Sequence, residues 1–218
     1  HRFIHMFSGL RRPGDLEWYL VRLGAAVGIR VVVESMDYAY GQEFDLSDGS
    51  VIDRLVHASR RKVYSGGQNG SPCSTWSRVR FVPGGPPPLR MRDSPWGIPS
   101  NTKTQQLHCD EHSRMWHGSM DVLEAIAQSG GLVVNEHPKD PGCDPFPSTW
   151  NLPKMKRIER DCKLRRVSFP QCLWGQAGRK DTTLSGNVDE LEKFDVYGDG
   201  KCRHLSHELL YGTDEKGH

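Results

Sequence analysis

The sequence predicts an α/β fold of the Rossmann-like class, with a mostly parallel central sheet flanked by helices. Three observations support this. An apolar run ends at a glycine turn and is followed by an amphipathic helix; a second apolar run then ends in acidic residues; and further apolar runs alternate with helical stretches along the chain. A chain of 218 residues can bury one full core, so we expect a single domain over residues 1–218.

The first βαβ unit covers the N-terminal part of the chain. Residues 3–7 are predicted as a strand that ends at Ser8 and Gly9. Asp15 is a suitable N-cap for a helix that Gly28 ends. Residues 29–33 form the second predicted strand. The apolar residues of the helix recur at helical spacing: Leu16, Leu20, Leu23 and Val27. Strand, helix and strand in this order begin a parallel sheet.

The later elements follow the same alternation. Residues 50–59 are predicted as a helix, and Val63 and Tyr64 as the start of the next strand. The remaining predictions are a Pro- and Gly-rich loop over 83–100, a helix over 110–129, a strand over 130–134, an irregular region over 139–153, and two last strands over 164–169 and 182–184. Polar residues therefore follow several successive strands, at the sheet edge where ligands bind in open α/β folds.

A single cysteine occupies the loop after the third predicted strand. Pro72 precedes Cys73, which makes the approach to the cysteine rigid, and glycines lie upstream. Arg78 and Arg80 follow and are expected to favour the thiolate or to hold a phosphate. A surface turn that happens to contain a cysteine is the alternative.

The amino-acid composition indicates which binding partners and which cellular compartment to expect. The 29 basic and 27 acidic residues leave a net charge of +2, so only local basic stretches, over 78–92 and 154–166, are compatible with a phosphate-binding groove. Solvated surface faces are the alternative interpretation of these stretches. There is no apolar run of membrane-spanning length and no signal-peptide pattern, so we expect an intracellular protein, nuclear if eukaryotic, with six reduced cysteines and, by default, a monomeric state. The chain starts without methionine, which suggests a fragment of a longer protein.

The order of these features resembles that of the cytosine-5 DNA methyltransferases. The motifs that carry the resemblance are Phe7-Ser8-Gly9, Pro72-Cys73 followed by Ser77, and Glu136-His-Pro. The resemblance implies that Phe7, Ser8, Gly9 and Pro72 bind S-adenosylmethionine, that Glu34 or Asp37 holds the ribose, and that Asp45 faces the adenine. It also implies Cys73 as nucleophile and Glu136 at ring nitrogen 3 of cytosine. Arg179 and Lys180, together with Ser77, Arg90 and Arg92, are expected to support the nucleic acid.

The chemistry suits these residue types. Carbon 5 of cytosine becomes nucleophilic only after addition at carbon 6, and a cysteine thiolate is suited to that addition. A glutamate close to ring nitrogen 3 can stabilise the charge that develops there. The substrate is expected to be DNA, with RNA not excluded, and the base must leave the duplex to be reached.

The sequence departs from the family in three places. The second glycine of the first motif is absent, since Gly9 is followed by Leu10 and Arg11. The usual glutamine-arginine-arginine triplet has no clear match, and only residues 139–166 are available as a reduced target-recognition region. A catalytically inactive nucleic-acid-binding domain of the same fold is therefore the main alternative. A cysteine hydrolase that pairs Cys73 with His137 is a third hypothesis.

The C-terminal residues 198–218 are expected to form a small Cys/His appendage. Cys202, His204 and His207 are three potential zinc ligands, with Cys162 or Cys172 as a fourth donor. Because the spacing between these ligands is short for a zinc finger, a polar turn is the favoured interpretation.

Overall fold

A computed structural model of the protein describes residues 1–208. Residues 209–218 of the predicted appendage lie outside this range. The strands are β1 (Arg2–Met6), β2 (Val32–Met36), β3 (Gly66–Asn69), β4 (Leu132–Pro138), β5 (Arg165–Pro170) and β6 (Asp181–Gly186). The helices are α1 (Leu16–Ala26), α2 (Gly49–Arg60), α3 (Lys103–Gln128) and α4 (Pro153–Asp161). None of the helices in the described range is both long and apolar enough to cross a membrane.

The six strands form one sheet in the order β2-β1-β3-β4-β6-β5. The pairs among β2, β1, β3 and β4 are parallel, whereas β6 runs antiparallel to both of its neighbours. Strand β2 lies on one side of β1, whereas β3 and the later strands lie on the other side. The direction in which strands are added therefore reverses, and this topological switch point lies between β1 and β3. The predicted α/β, Rossmann-like, mostly parallel architecture is confirmed.

The main core lies between the sheet and the helices α2, α3 and α4. Buried side chains from all three helices belong to one cluster with β1, and its largest fully buried members include Trp116, Met120, Trp150 and Met155. None of the members of this cluster comes from α1, which contacts β2. Because crossovers between parallel strands are right-handed, α1 is expected on the opposite face of the sheet. Between β3 and β4 the Asn69 side chain donates to Asn135 Oδ1 at 2.7 Å, and both residues are fully buried.

The third strand was wrongly predicted. It consists of Gly66–Asn69 and not of the β-prone Val63 and Tyr64. A Cβ atom at Gly67 would lie 2.9 Å from side-chain atoms of both Ile4 and Ile126, so α3 approaches this strand closely only because glycine stands there. Close packing thus overrides the low strand propensity of glycine.

Other elements also differ from the predicted bounds. Strand β4 runs from Leu132 to Pro138 and not over 130–134, so Glu136 lies inside the strand and not after it as predicted. The second strand begins three residues later than predicted, which places Glu34 inside β2 and not after it. Helix α3 begins at Lys103, seven residues before the predicted start, because Thr102 and Gln105 form a capping box. Helix α4 was missed. It buries Met155 and Ile158, so the second half of residues 139–166 packs on the main core.

Candidate active site

The Cys73 loop leaves β3 at the carboxyl edge of the sheet, as predicted. Cys73 is half-buried, and its carbonyl accepts from the Trp76 N–H at 2.9 Å, which closes a turn. Two residues of this turn point into the protein: Thr75 and Trp76 are both buried. The nucleophile candidate therefore projects from a loop that its own neighbours anchor to the body.

Arg90 is the main anchor of this loop. Its guanidinium donates to Thr75 Oγ1 at 3.0 Å, to the Pro95 and Cys109 carbonyls at 2.6 Å each, and to Ser113 Oγ at 3.1 Å. It also lies 4.1 Å from the centre of a Trp76 ring. Arg90 is fully buried, and this burial lowers its pKa to about 10. The prediction that Arg90 binds nucleic acid is wrong for this structure, because no part of the side chain reaches solvent.

The other arginines of the predicted site have mixed roles. Arg80 donates to the Ser74 carbonyl at 2.6 Å and the Pro87 carbonyl at 2.9 Å, so it holds the loop over 83–100 against the Cys73 loop. Arg92 pairs with Asp140 at 2.7 Å. Arg78 is mostly exposed, with only a 3.9 Å contact to Asp181. Of these three, Arg78 is the one available to a ligand.

Three side chains from the region of β5 and β6 donate hydrogen bonds to the carboxylate of Glu136. Its Oε1 accepts from Lys180 Nζ at 3.4 Å and from Gln171 Nε2 at 3.4 Å, and it also accepts from the Thr182 hydroxyl. Glu136 lies near the end of β4, Gln171 directly follows β5, and Thr182 lies in β6. Sequence reasoning missed Gln171 and Thr182. The signal for Gln171 is its position directly after a strand that ends in Pro170.

A cavity of about 740 Å³ joins these parts. Cys73, Ser77, Arg78, Arg179 and Lys180 all line it. Glu136 does not line the cavity itself; its carboxylate contacts Lys180, which does. Further lining residues come from the end of β4 and the loop that follows it, including Pro138, Lys139, Asp140 and Phe146. The cavity thus brings the Cys73 thiol together with several basic side chains.

Burial and the nearby charges together determine the pKa of the Cys73 thiol. Burial raises the pKa of Cys73, the positive charge of Lys180 opposes this effect, and the negative charge of Glu136 adds to it. Since the net shift of the pKa is upward, the thiol form is favoured in the free protein. The formation of a thiolate therefore depends on Lys180.

Replacing Lys180 by methionine is expected to slow alkylation of Cys73 by iodoacetamide at pH 8 by about three- to tenfold, because loss of the cation raises the pKa of the thiol further. In a plot of the alkylation rate against pH, the rise of the rate moves to higher pH, because removal of the cation disfavours the thiolate. Peptide mass spectrometry separates Cys73 from the other five cysteines. The matched control is Arg179→Met, because Arg179 pairs with Asp181 at 3.0 Å. Equal slowing in both variants would contradict a specific role of Lys180.

The predicted cofactor residues lie at the carboxyl edge of β1 and β2. Phe7 and Gly9 have positive φ angles of 57° and 65°, which forms the turn after β1. The Gly9 N–H donates to Asp37 Oδ2 at 2.9 Å, and Asp37 also caps the next turn through Ala39 N at 3.0 Å. Of the two acids predicted to hold the ribose, Glu34 and Asp37, it is Asp37 that contacts the turn after β1. Pro72 begins the Cys73 loop at the same edge.

Glu34 does not belong to this group. It lies inside β2, where the Tyr64 hydroxyl donates to its carboxylate at 2.9 Å and Arg54 lies at 3.9 Å. The prediction that it follows the strand is therefore wrong.

Asp45 is half-buried and accepts from Ser47 N at 2.8 Å. Arg11 pairs with Asp15 at 2.7 Å and also with Glu17, which holds its side chain against the start of α1.

His137 has no sign of a catalytic pairing with Cys73. Its ring lies edge-on to Trp76 and Trp150, its Nε2 atom is buried without a hydrogen-bond partner among the described residues, and full burial lowers its pKa to about 3. A general base needs a hydrogen bond to its nucleophile or a pKa near neutrality. His137 therefore shares the cavity with Cys73 but does not meet this requirement of the hydrolase hypothesis.

A second group of donor atoms lies outside the cavity. Cys202, His204 and His207 lie together, and the fourth member of the group is Cys172. Cys162, the other fourth donor considered, packs instead against the main core.

No protein-family model matches the sequence, and no curated protein matches it. Among solved structures, a crystal structure of the Dnmt2 methyltransferase of S. pombe is similar, with 9% sequence identity and a TM-score of 0.44. The match covers 91% of this chain and 56% of that one. This chain therefore corresponds to little more than half the length of that neighbour. The fold assignment rests on the strand order and strand directions described above.

Proposed function

We propose that the protein methylates carbon 5 of cytosine in DNA, with S-adenosylmethionine as methyl donor and Cys73 as nucleophile. The observation that carries this proposal is the meeting of Cys73, Lys180 and Glu136 at one edge of the sheet. They come from three separate elements, and Lys180 both lines the cavity beside Cys73 and contacts Glu136. A thiol, a cation and a carboxylate in this relation suit addition to a pyrimidine ring.

In this proposal, Cys73 forms and later breaks the only covalent bond between protein and base. Its thiolate adds to carbon 6 of cytosine, and the electron pair of the 5,6 double bond moves towards carbon 5 and the ring nitrogen. With a proton on its Oε2 atom, Glu136 donates a hydrogen bond to nitrogen 3, while Gln171 and Thr182 donate to Oε1 and hold the carboxyl group in place. When bound, S-adenosylmethionine supplies an electrophilic methyl group. After methylation, a base removes the carbon-5 proton and the Cys73 thiolate leaves.

The edge formed by β1, β2 and β3 suits the cofactor. A Cβ atom at Gly9 would meet nothing within 4 Å, so space is open beside this turn. Ser71 Oγ and Gln68 Oε1, both near Pro72, are buried without hydrogen-bond partners among the described residues. A bound polar ligand would satisfy such groups. Phe7, Gly9, Pro72, Asp37 and Asp45 are the residues that we expect to hold it.

The basic side chains at the cavity support a polyanionic substrate. Arg78 and Arg179 are 62% and 47% exposed at their side chains, and Lys180 and Lys139 lie beside them. By contrast, the basic stretch over 154–166 is largely paired: Lys154 contacts Asp121 and Arg157 contacts Glu124. We therefore assign phosphate binding to the cavity and not to residues 154–166.

The second candidate function is binding of nucleic acid without catalysis. It is favoured by the raised pKa of Cys73 and by the Gly9 turn, in which Asp37 already occupies the N–H group. In that case, the basic rim would bind nucleic acid while the cofactor edge stays inactive.

The test is calorimetric titration of S-adenosylmethionine, followed by methyl transfer from labelled cofactor to cytosine-containing DNA and to RNA of the same sequence. We expect cofactor binding, label in DNA, and its recovery as 5-methylcytosine. Label in RNA alone would replace the proposed substrate. A folded protein that binds DNA but not the cofactor would establish the non-catalytic function instead.

A further inference from the structure

Four side chains with sulfur or imidazole donor atoms meet beyond the end of β5. Cys172 is buried in the short turn that follows this strand, and the other three come from the last described segment: Cys202, His204 and His207. All four donor atoms lie within 4.8 Å of one another. Cys202 Sγ lies 3.3 Å from His207 Nε2.

This arrangement matches the geometry of a tetrahedral zinc site. With zinc bonds of about 2.3 Å to sulfur and about 2.0–2.1 Å to nitrogen, tetrahedral donors lie about 3.3–3.8 Å apart. The observed separation between Cys202 and His207 is within this range, and the full group needs only a small contraction. Two thiolates balance the charge of the ion, and two cysteines with two histidines are a donor set that selects zinc.

We propose that Cys172, Cys202, His204 and His207 bind one structural zinc ion. All four positions are occupied by side chains, so the site is closed and has no open position for a substrate. This proposal does not rest on methyl transfer. It concerns a site that lies outside the cavity lined by Cys73.

The segment that supplies three of the ligands has few other attachments. From residue 195 to the end of the described range the chain has no helix or strand, and its links to the body include an isolated bridge between Gly178 and Glu208 and the packing of Gly200 beside the Ser168 carbonyl. Leu205 is fully exposed, so apolar burial there contributes little. A metal bond is a common replacement for a hydrophobic core in such small segments.

The zinc ion would also fix the chain between β5 and β6. This connection runs from Gln171 to Lys180, and both of these end residues contact Glu136. Cys172 lies directly beside Gln171. Binding of Cys172 to the metal therefore stabilises the connection that positions two donors on Glu136, and loss of the metal is expected to loosen the connection.

The direct test is metal analysis of the purified, reduced protein by mass spectrometry. We expect about one zinc ion per chain. Replacement of zinc by cobalt(II) should give the visible absorption of a tetrahedral site and a sulfur-to-cobalt charge-transfer band. Chelation should increase proteolytic cleavage within residues 195–208. The cobalt titration uses the unaltered chain, so it does not depend on the folding of any variant.

The variants Cys172→Ser and His207→Ala should each lower the zinc content to less than about a fifth of the wild-type value, because each removes one of four ligands. Cys162→Ser and His57→Ala are matched controls outside the cluster and should keep the metal. Absence of zinc together with absence of cobalt bands would overturn the proposal. So would full metal retention in both ligand variants, or a Cys172–Cys202 disulfide in the purified protein.

Discussion

Replacing Cys73 by alanine is expected to abolish methyl transfer, with a loss of at least about 10³-fold, because the proposed addition to carbon 6 requires the Cys73 thiolate. The affinity for S-adenosylmethionine is expected to stay within about twofold, because the cofactor edge is formed by other residues. Labelled methyl transfer and calorimetry measure the two effects separately.

Cys143→Ser is the matched control for this variant. Cys143 lines the same cavity but is exposed and follows β4, so its replacement should leave the rate nearly unchanged. DNA that contains 5-fluorocytosine should form a stable covalent adduct with the wild-type protein and none with Cys73→Ala. An adduct on Cys143, or an active Cys73→Ala protein, would show that the nucleophile is misassigned.

Replacing Arg90 by methionine is expected to lower the free energy of unfolding by about 3–5 kcal/mol, the usual cost of breaking a buried charged network. The variant leaves the Pro95 carbonyl without this donor, leaves the Cys109 carbonyl with Ser113 Oγ as its remaining side-chain donor, and removes the cation above Trp76. Urea unfolding followed by tryptophan fluorescence measures the change.

Arg80→Met provides the comparison. Arg80 also donates to two carbonyls, but it is partly exposed and those carbonyls can bind water instead. Its replacement is expected to cost about 1 kcal/mol. A loss of stability of the same size in both variants would mean that burial is not what makes Arg90 important.

The sequence predicted the parts of the fold that local patterns determine. The first strand, the Asp15 cap of α1 and the position of Cys73 after a strand all follow from apolar periodicity, capping and turn residues. The β3 glycines escaped prediction because their reason is the close approach of Ile4 and Ile126, which are distant along the chain. Local propensity has no access to such contacts.

The site was predicted only in part for a similar reason. Cys73 and Glu136 were predicted from their motifs, whereas Gln171 contacts Glu136 from a position 35 residues away. Arg90 shows the opposite error: an arginine in a Pro-rich loop suggests solvent, but the loop folds over it and its partners are buried backbone atoms. The charge of a residue alone does not predict whether its partner is a ligand or the protein itself.

The hydrogen bond between Asn69 and Asn135 also determines how β3 and β4 can slide against each other. Both amides are fully buried, and displacing either strand by one residue would separate them at a cost of about 1–3 kcal/mol for each unpaired amide. Cys73 lies four residues after Asn69, and Glu136 is the residue after Asn135. The amide pair therefore acts as a register clamp, which selects the one strand alignment that keeps the nucleophile and the carboxylate at a fixed separation.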